Sequence, residues 1–533
     1  MHNEFKRTTQ NSYTTTAQIN TQTQCLCAVC SSKSNRFYHS NFYTMDRRKI
    51  NVEQTMHVLK KYINALFRSY VLPFLEEFFY KLDKAITFLV EALSEKDHSY
   101  QAEFIDASTV LSKYNKGFCI DGRKQISLSQ SHMHALIVGA SGSGKTQCTV
   151  LPTILQMESS FLINDPSGEL YAKTAGYLKT KGYEVLTINF SNPSKSCGYN
   201  PLARIQTVSD AQKVAHLLVR NTLKGANDPF WNLQSVGLLT LLIRAVLFER
   251  KELQHLANVR YLLQLLSANH KVVDALIAKT GSQELITEYK SFLAFDTKVR
   301  LGVQATCLAA LNIFSDPHVA QVTAIDTLDL EKMRKRKTVL YLHCNTSDMT
   351  FYAPLISLFF EQVSKLIMEK LPGKDDLPLA YILDEFSSLY MPNIQVTISN
   401  VRKYRVSMML IVQDVTQIVD VYGKQQAEAI RSNCFSKLYF GGVSHQTASE
   451  ISAQLGKYQY ESDKGVTKTR ELKTPDEIRT LSKDKAIFIC GNYKPILLHL
   501  TPLYRHPYLK LRAEIPKPQL QGAIRETVVN YSS

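Results

Sequence analysis

The sequence predicts an α/β protein: a parallel-rich central sheet covered by crossover helices and interrupted by an all-helical insertion. Three observations carry this. A buried apolar run, Leu136 to Val138, feeds a glycine-rich loop, GASGSGKT, from Gly139 to Thr146. On either side of a gap, short apolar runs alternate with amphipathic stretches of helical period. The gap itself, about 207 to 300, reads as helix throughout, with no strand-like alternation. Strands alternating with crossover helices build an open sheet, and such sheets place their ligands at the carboxyl ends of the strands.

Taken in order, residues 1–50 are rich in Thr, Gln, Ser and Asn and read as a disordered leader. They are unlike the rest of the chain, which leaves two starts open, Met1 and Met45. Cys25, Cys27 and Cys30 crowd together there as CLCAVC, a C-x-x-C lacking the second ligand pair a zinc knuckle needs, so a thiol-rich leader is the expectation. Residues 51–100 read as an amphipathic helical segment. Its apolar stretch is broken by Glu76, Glu77, Lys81, Asp83 and Lys84, charges too costly for a membrane span.

Residues 101–206 hold the first part of the sheet domain: HALIVGA as strand, TQCTVLPTILQM as a helix disturbed by Pro152, Phe161 to Asn164 as a second strand ending at Asp165, YAKTAGYLKTKG as a helix stopped by Gly182, and YEVLTINF as a third strand. Residues 207–300 are the helical insertion. Residues 301–505 resume the sheet with KTVLYLHC, a helix at ISLFFEQVSKLIM, then LAYILDEF, SMMLIVQD and SKLYFGG. Residues 506–533 read as a flexible tail.

With 533 residues, 44% of them hydrophobic, the chain can bury a large core and is no small stapled domain. The formal net charge of +16 favours a polyanionic partner, nucleic acid or an acidic membrane surface, without choosing between them. The cysteines of the body, such as Cys148, Cys307, Cys344 and Cys434, show no metal-ligand spacing and read as reduced core thiols of a cytosolic protein. The opening MHNEFKRTTQNSYTTTAQ has no apolar core of a secretory signal.

The loop Gly139, Ala140, Ser141, Gly142, Ser143, Gly144, Lys145, Thr146 fits G-x-x-x-x-G-K-[ST]. Its glycines let backbone N–H groups face phosphates, Lys145 neutralises their charge, and Thr146 offers a hydroxyl to magnesium. In PLAYILDEFSSL, a strand from Leu379 to Leu383 runs into Asp384 and Glu385, one carboxylate to hold the magnesium shell and one to polarise a water. Together they predict ATP hydrolysis. Further on, Gln413 ends a strand where it can sense a γ-phosphate or align water, and Arg402 precedes that strand, placed to reach a nucleotide on a next subunit; a strand cap and a solvated charge are the alternatives. Asp165 in NDPSGEL is either a contact to the nucleotide site or a turn signal, and EKMRKRK, 331 to 337, either a phosphate contact or a solvated edge.

GASGSGKT, FLINDPSGELYAKTAGYLKTKGYEVLTINF followed by YNPL, ILDEFSSL, VRKYRVSMMLIVQDVTQI, and IRSNCFSKLYFGG with TASEISAQLG together resemble the VirD4/TraG family of type IV secretion coupling proteins, over about residues 110 to 505. The resemblance implies a RecA-like P-loop NTPase core and a homo-hexamer, possible as monomers in isolation, that links relaxase-bound DNA to a conjugative secretion channel. It implies ATP and Mg2+ as cofactors. DNA, relaxosome proteins and the channel's ATPases are the implied partners, at the cytoplasmic face of the bacterial inner membrane. Lys145 and Thr146 match the phosphate-loop pair, Asp384 and Glu385 the magnesium-holding and water-activating carboxylates, Arg402 the trans-acting arginine and Gln413 the strand-tip glutamine. The insertion around Trp231 is similar to the family's all-helical, substrate-recognising domain. Two departures stand out. Ser167 replaces the lysine of the usual Asp-Pro-Lys-Gly-Glu, and the two N-terminal membrane helices common in the family are not evident, leaving open a membrane-anchoring partner that binds residues 50 to 95 or a soluble branch of the family. The alternative function is an ATP-switched receptor delivering protein effectors to such a channel.

Overall fold

The computed structural model describes residues 60, 80–86, 102–222, 229–344, 348–461, 467–519, 522 and 531. The leader with its three cysteines and Met45, and most of the segment 51–100, lie outside the described residues. The chain divides into two units, Met1–Ser99 and Tyr100–Ser533. In the first, residues 80–86 are helical. The second holds the sheet and everything that follows.

Eleven strands are present among the described residues: β1 Ala135–Val138, β2 Ser160–Asp165, β3 Glu184–Asn189, β4 Thr338–His343, β5 Leu379–Leu383, β6 Val406–Val412, β7 Ser436–Phe440, β8 Lys457–Glu461, β9 Thr467–Glu471, β10 Lys485–Cys490 and β11 Ile496–His499. Nine form one sheet in the order β11-β10-β7-β1-β6-β5-β2-β4-β3. From β7 to β3 neighbours run parallel, and only β10 and β11 are antiparallel additions. The apolar runs of β1, β2, β5 and β6 are buried along their whole length, as strands covered on both faces must be. Alternation then sorts their side chains into two cores. Leu136, Val138 and Leu162 join one, Ala135, Ile137, Phe161 and Ile163 the other.

The first of these cores is continuous with the helical insertion, whose Leu242, Leu263 and Val303 belong to the same cluster. The insertion extends further than expected. The expected end at 300 falls inside the helix Thr297–Ala310, and a last helix, Pro317–Ala324, follows before the chain returns to β4. The reason is packing: Val303 and Cys307 are fully buried, and Gly302 lies so close beneath the ring of Trp231 that a Cβ would meet it at 2.6 Å.

Pro152 was expected to disturb the helix after the loop. The chain accommodates it with a π-helix, Thr146–Val150, in which the N–H of Leu151 reaches back to Thr146, so that Pro152 falls in the first turn of the α-helix Leu151–Gln156, where a missing donor costs least. The expected flexible tail is corrected over part of its length. Residues Pro507–Ala513 form a helix that buries Leu509 and Ala513, Arg512 donates to the Leu155 carbonyl at 2.8 Å, and the Tyr171 hydroxyl to that of Pro518 at 2.7 Å. β8 and β9 make a separate two-stranded ribbon.

Candidate nucleotide site

The loop Gly139–Thr146 leaves β1 at its carboxyl end and turns sharply, with φ at Gly142 of 71° and at Gly144 of 102°, backbone open to glycine at little cost. Gly139 is tight for a different reason: a Cβ there would meet Phe440 at 2.6 Å and the Ser143 hydroxyl at 2.8 Å. Lys145 folds back over the loop, its Nζ donating to the carbonyls of Gly139 and, at 3.1 Å, of Ala140. Burial lowers its pKa, and the carboxylates of Glu385 and Asp384 act against that shift. Thr146 opens the π-helix. The Ser143 hydroxyl is buried without a hydrogen-bond partner, an orphan polar atom inside a loop shaped for phosphate oxygens.

Two strands away, β5 ends at Asp384 and Glu385. Burial, then the charges of Glu385 and Asp165, push the Asp384 carboxyl up to about 7. Its backbone carbonyl accepts from Asn164 Nδ2 at 2.6 Å, and Glu385 sits in left-handed backbone at φ 52°. β6 lies between β1 and β5 and ends at Gln413, whose Nε2 donates to Glu385 Oε1 at 3.1 Å. Gln413 is held in turn through its N–H, which donates to Gln417 Oε1 at 3.1 Å. The structure thus gathers Lys145, Thr146, Asp384, Glu385 and Gln413 at one end of three neighbouring strands.

Asp165 serves the turn, one of the two ways the sequence allowed. Its carboxylate accepts from the N–H groups of Leu170, at 3.2 Å, and Tyr171, at 2.7 Å, fixing the start of the helix Glu169–Thr180, while its charge raises the pKa of Asp384. Three residues escaped the sequence reading: Asn164, which holds the Asp384 carbonyl, and Gln147 and Glu169, joined at 3.1 Å across the mouth of the loop. All three lie in quoted motifs, but nothing in their spacing shows which partner each meets.

Arg402 is not at this end of the sheet. It lies exposed in the 3-10 turn Val401–Tyr404, at the amino end of β6, and β1 runs parallel to β6 with Val138 opposite Val412. The strand between Arg402 and the loop is about 20 Å long. A cavity of about 1390 Å³ also lies elsewhere, between the insertion and the sheet domain, with walls that include Asp210, Lys213, Glu361 and Lys365. Its wall charges are largely answered, Lys365 by Asp210 at 2.8 Å and Arg204 by Asp326 at 2.9 Å.

The donor set at the loop fits a hard cation shared with phosphates. It offers a buried carboxyl and a hydroxyl, oxygen ligands only, the donor type that suits magnesium, which keeps waters and relies on its ligand's phosphates.

Residues 90–526 match the family described as "Type IV secretory system Conjugative DNA transfer". The chain belongs to this family. Among curated relatives of this coupling-protein family, it is 24% identical over 408 residues to the protein VirD4 of Rhizobium radiobacter, covering 71% of this chain and 58% of that one. It is 25% identical over 451 residues to the conjugal transfer protein TraG of Escherichia coli, covering 74% and 70%. The chain thus spans less than two thirds of the length of VirD4. Among solved structures, the unbound conjugative coupling protein TrwB superposes with a TM-score of 0.62 at 18% identity over 81% of this chain and 97% of that one; TrwB with ADP and Mg2+ gives 0.60 at 18% over 82% and 98%. The expected RecA-like α/β fold is the observed one. Among the described residues, no helix is long and apolar enough to cross a membrane.

Proposed function

We propose that the chain is an ATP-hydrolysing coupling protein that recruits relaxase-bound DNA to a type IV secretion channel and drives its translocation. The observation that carries this reading is the row of strand tips: Glu385 held by Gln413, beside Asp384, two strands from a phosphate loop whose lysine lies among the same charges. Lys145 neutralises the phosphates. Thr146 and Asp384 would hold Mg2+, which when bound would supply charge neutralisation to the phosphates. Glu385 is the base that orients and polarises the attacking water, and Gln413 fixes its carboxylate. Arg402, distant from its own subunit's loop, supplies its guanidinium to the site of the neighbour in a homo-hexamer.

The formal charge of +16 suits a DNA strand, and family membership suits conjugation. TrwB is described with ADP and Mg2+ and with a non-hydrolysable ATP analogue, ligands that match the pocket's chemistry. Docking at the cytoplasmic face of the inner membrane falls to the secretion channel's ATPases or to an anchoring partner. The test is transfer in cells. Lys145→Ala and Glu385→Gln are expected to abolish plasmid transfer while the protein accumulates normally; transfer that survives Glu385→Gln excludes the motor, and loss of effector export alone favours the receptor.

A further inference from the structure

Three of the cations in the basic run Glu331–Lys337 are engaged within the chain. Lys332 pairs with Asp329 and Lys335 with Asp376, each at 2.5 Å, and Arg334 turns inward. Its guanidinium, largely buried, donates to three backbone carbonyls: Leu377 at 3.0 Å, Tyr404 at 2.5 Å and Arg405 at 3.4 Å. Arg405 reaches the other way, its Nη1 donating to the carbonyls of Gly373, Lys374 and Asp376 at 3.1 to 3.3 Å. Backbone bonds close the arrangement, from Leu377 to Arg334 at 2.8 Å and from Leu379 to Arg405 at 3.1 Å.

These contacts converge on the turn that carries Arg402. Val401–Tyr404 is a single 3-10 turn ended by Arg405 in left-handed backbone at φ 52°, a conformation that a non-glycine residue keeps only when its surroundings impose it. The last carbonyls of such a turn lack partners within it, and the planar fork of Arg334 takes two of them. Arg402 itself is exposed. We infer that Arg334 is a positioning residue for Arg402: it fixes the turn so that Arg402 leaves the subunit in the one direction that meets a neighbour's nucleotide. This rests on the proposed trans role of Arg402.

The test uses the purified full-length chain, with ATP hydrolysis measured for Arg334→Gln, Arg402→Ala and Glu385→Gln alone and in equal mixtures. Arg334→Gln is expected to lower kcat about 10- to 100-fold, the scale of a misplaced transition-state group, with KM for ATP changed less than about twofold, because its own loop is intact. Mixed with Glu385→Gln, it is expected to exceed the summed rates of the two alone, since an Arg334→Gln subunit with a sound loop then sits beside a subunit with a sound Arg402 turn. A mixture no faster than that sum, or unaltered activity of Arg334→Gln, overturns the inference. Arg402→Ala mixed with Glu385→Gln separates the two levels: if this pair recovers and the Arg334 pair does not, only the positioning role falls; if neither recovers, the trans arginine falls and the inference with it. Should Arg334→Gln fail to fold, Arg334→Lys, which keeps the charge and loses the fork, takes its place in the same mixtures.

Discussion

Gln413 Nε2 donates to Glu385 Oε1 at 3.1 Å, joining the tips of β6 and β5 on the side of the sheet where the phosphate loop emerges. Glu385→Gln is expected to lower kcat about 100- to 10,000-fold, the range for loss of a general base. Gln413→Ala leaves the base in place but unheld, and a smaller loss, about 10- to 100-fold, is expected. Steady-state kinetics check both; KM for ATP should stay within about twofold if the pair acts in the transition state.

Lys145 donates to the carbonyls of Gly139 and Ala140 and so braces the loop. Lys145→Ala removes this brace and, on the proposed role, a charge-assisted bond to the nucleotide, a contact of about 1.5–3 kcal/mol. Titration with a fluorescent ATP analogue is expected to show affinity down at least about 10-fold. Unchanged affinity would remove Lys145 from the binding machinery.

Much of this was legible beforehand. The strand Leu379–Leu383 is found where its apolar run predicts it, because a buried central strand leaves a continuous signal ending at two charges. β8 and β9 were missed because Lys457, Gln459, Lys468 and Arg470 spread polar side chains over a ribbon with almost no buried face, which reads as loop. The helix Pro507–Ala513 reads as tail in the sequence because its anchors, Leu155 and the helix Glu169–Thr180, are more than three hundred residues away. For the same reason no spacing rule could assign Arg334, whose carbonyl partners come from two other segments.

Gly168 follows Ser167, the residue that departs from the family pattern. Its φ is 71°, and a Cβ would meet His343 Cε1 at 2.6 Å. Gly168→Ala is therefore expected to cost roughly 1–3 kcal/mol in denaturant unfolding, through left-handed strain and displacement of a ring that bonds the Asp165 carbonyl at 3.2 Å. Ser167 is exposed, and Ser167→Lys is expected to leave stability within about 0.5 kcal/mol.

His134 binds in its neutral form: Nε2 donates to the Ile398 carbonyl at 2.8 Å while Nδ1 accepts the Met408 N–H at 3.1 Å. Burial lowers its pKa from 6.5 to about 4. Because the folded value lies below the unfolded one, the stability tied to this histidine is complete above pH 6.5 and is lost as pH falls from 6.5 towards 4. His134 sits in left-handed backbone at φ 65°, which Asn tolerates, so His134→Asn should be less stable at pH 7 but lose less on acidification, a difference on the order of 2 kcal/mol across that window. Parallel pH curves for the two proteins would contradict this.

On the proposed function, these strand tips form the hydrolytic site of a DNA-stimulated ring. The most direct test is ATP hydrolysis by the purified chain titrated with single-stranded DNA, with particle mass measured in the same samples. The rate is expected to rise with DNA as the mass shifts to that of a hexamer, and neither Lys145→Ala nor Glu385→Gln is expected to show the rise. Hydrolysis indifferent to DNA, from a particle that stays a monomer, would contradict that function.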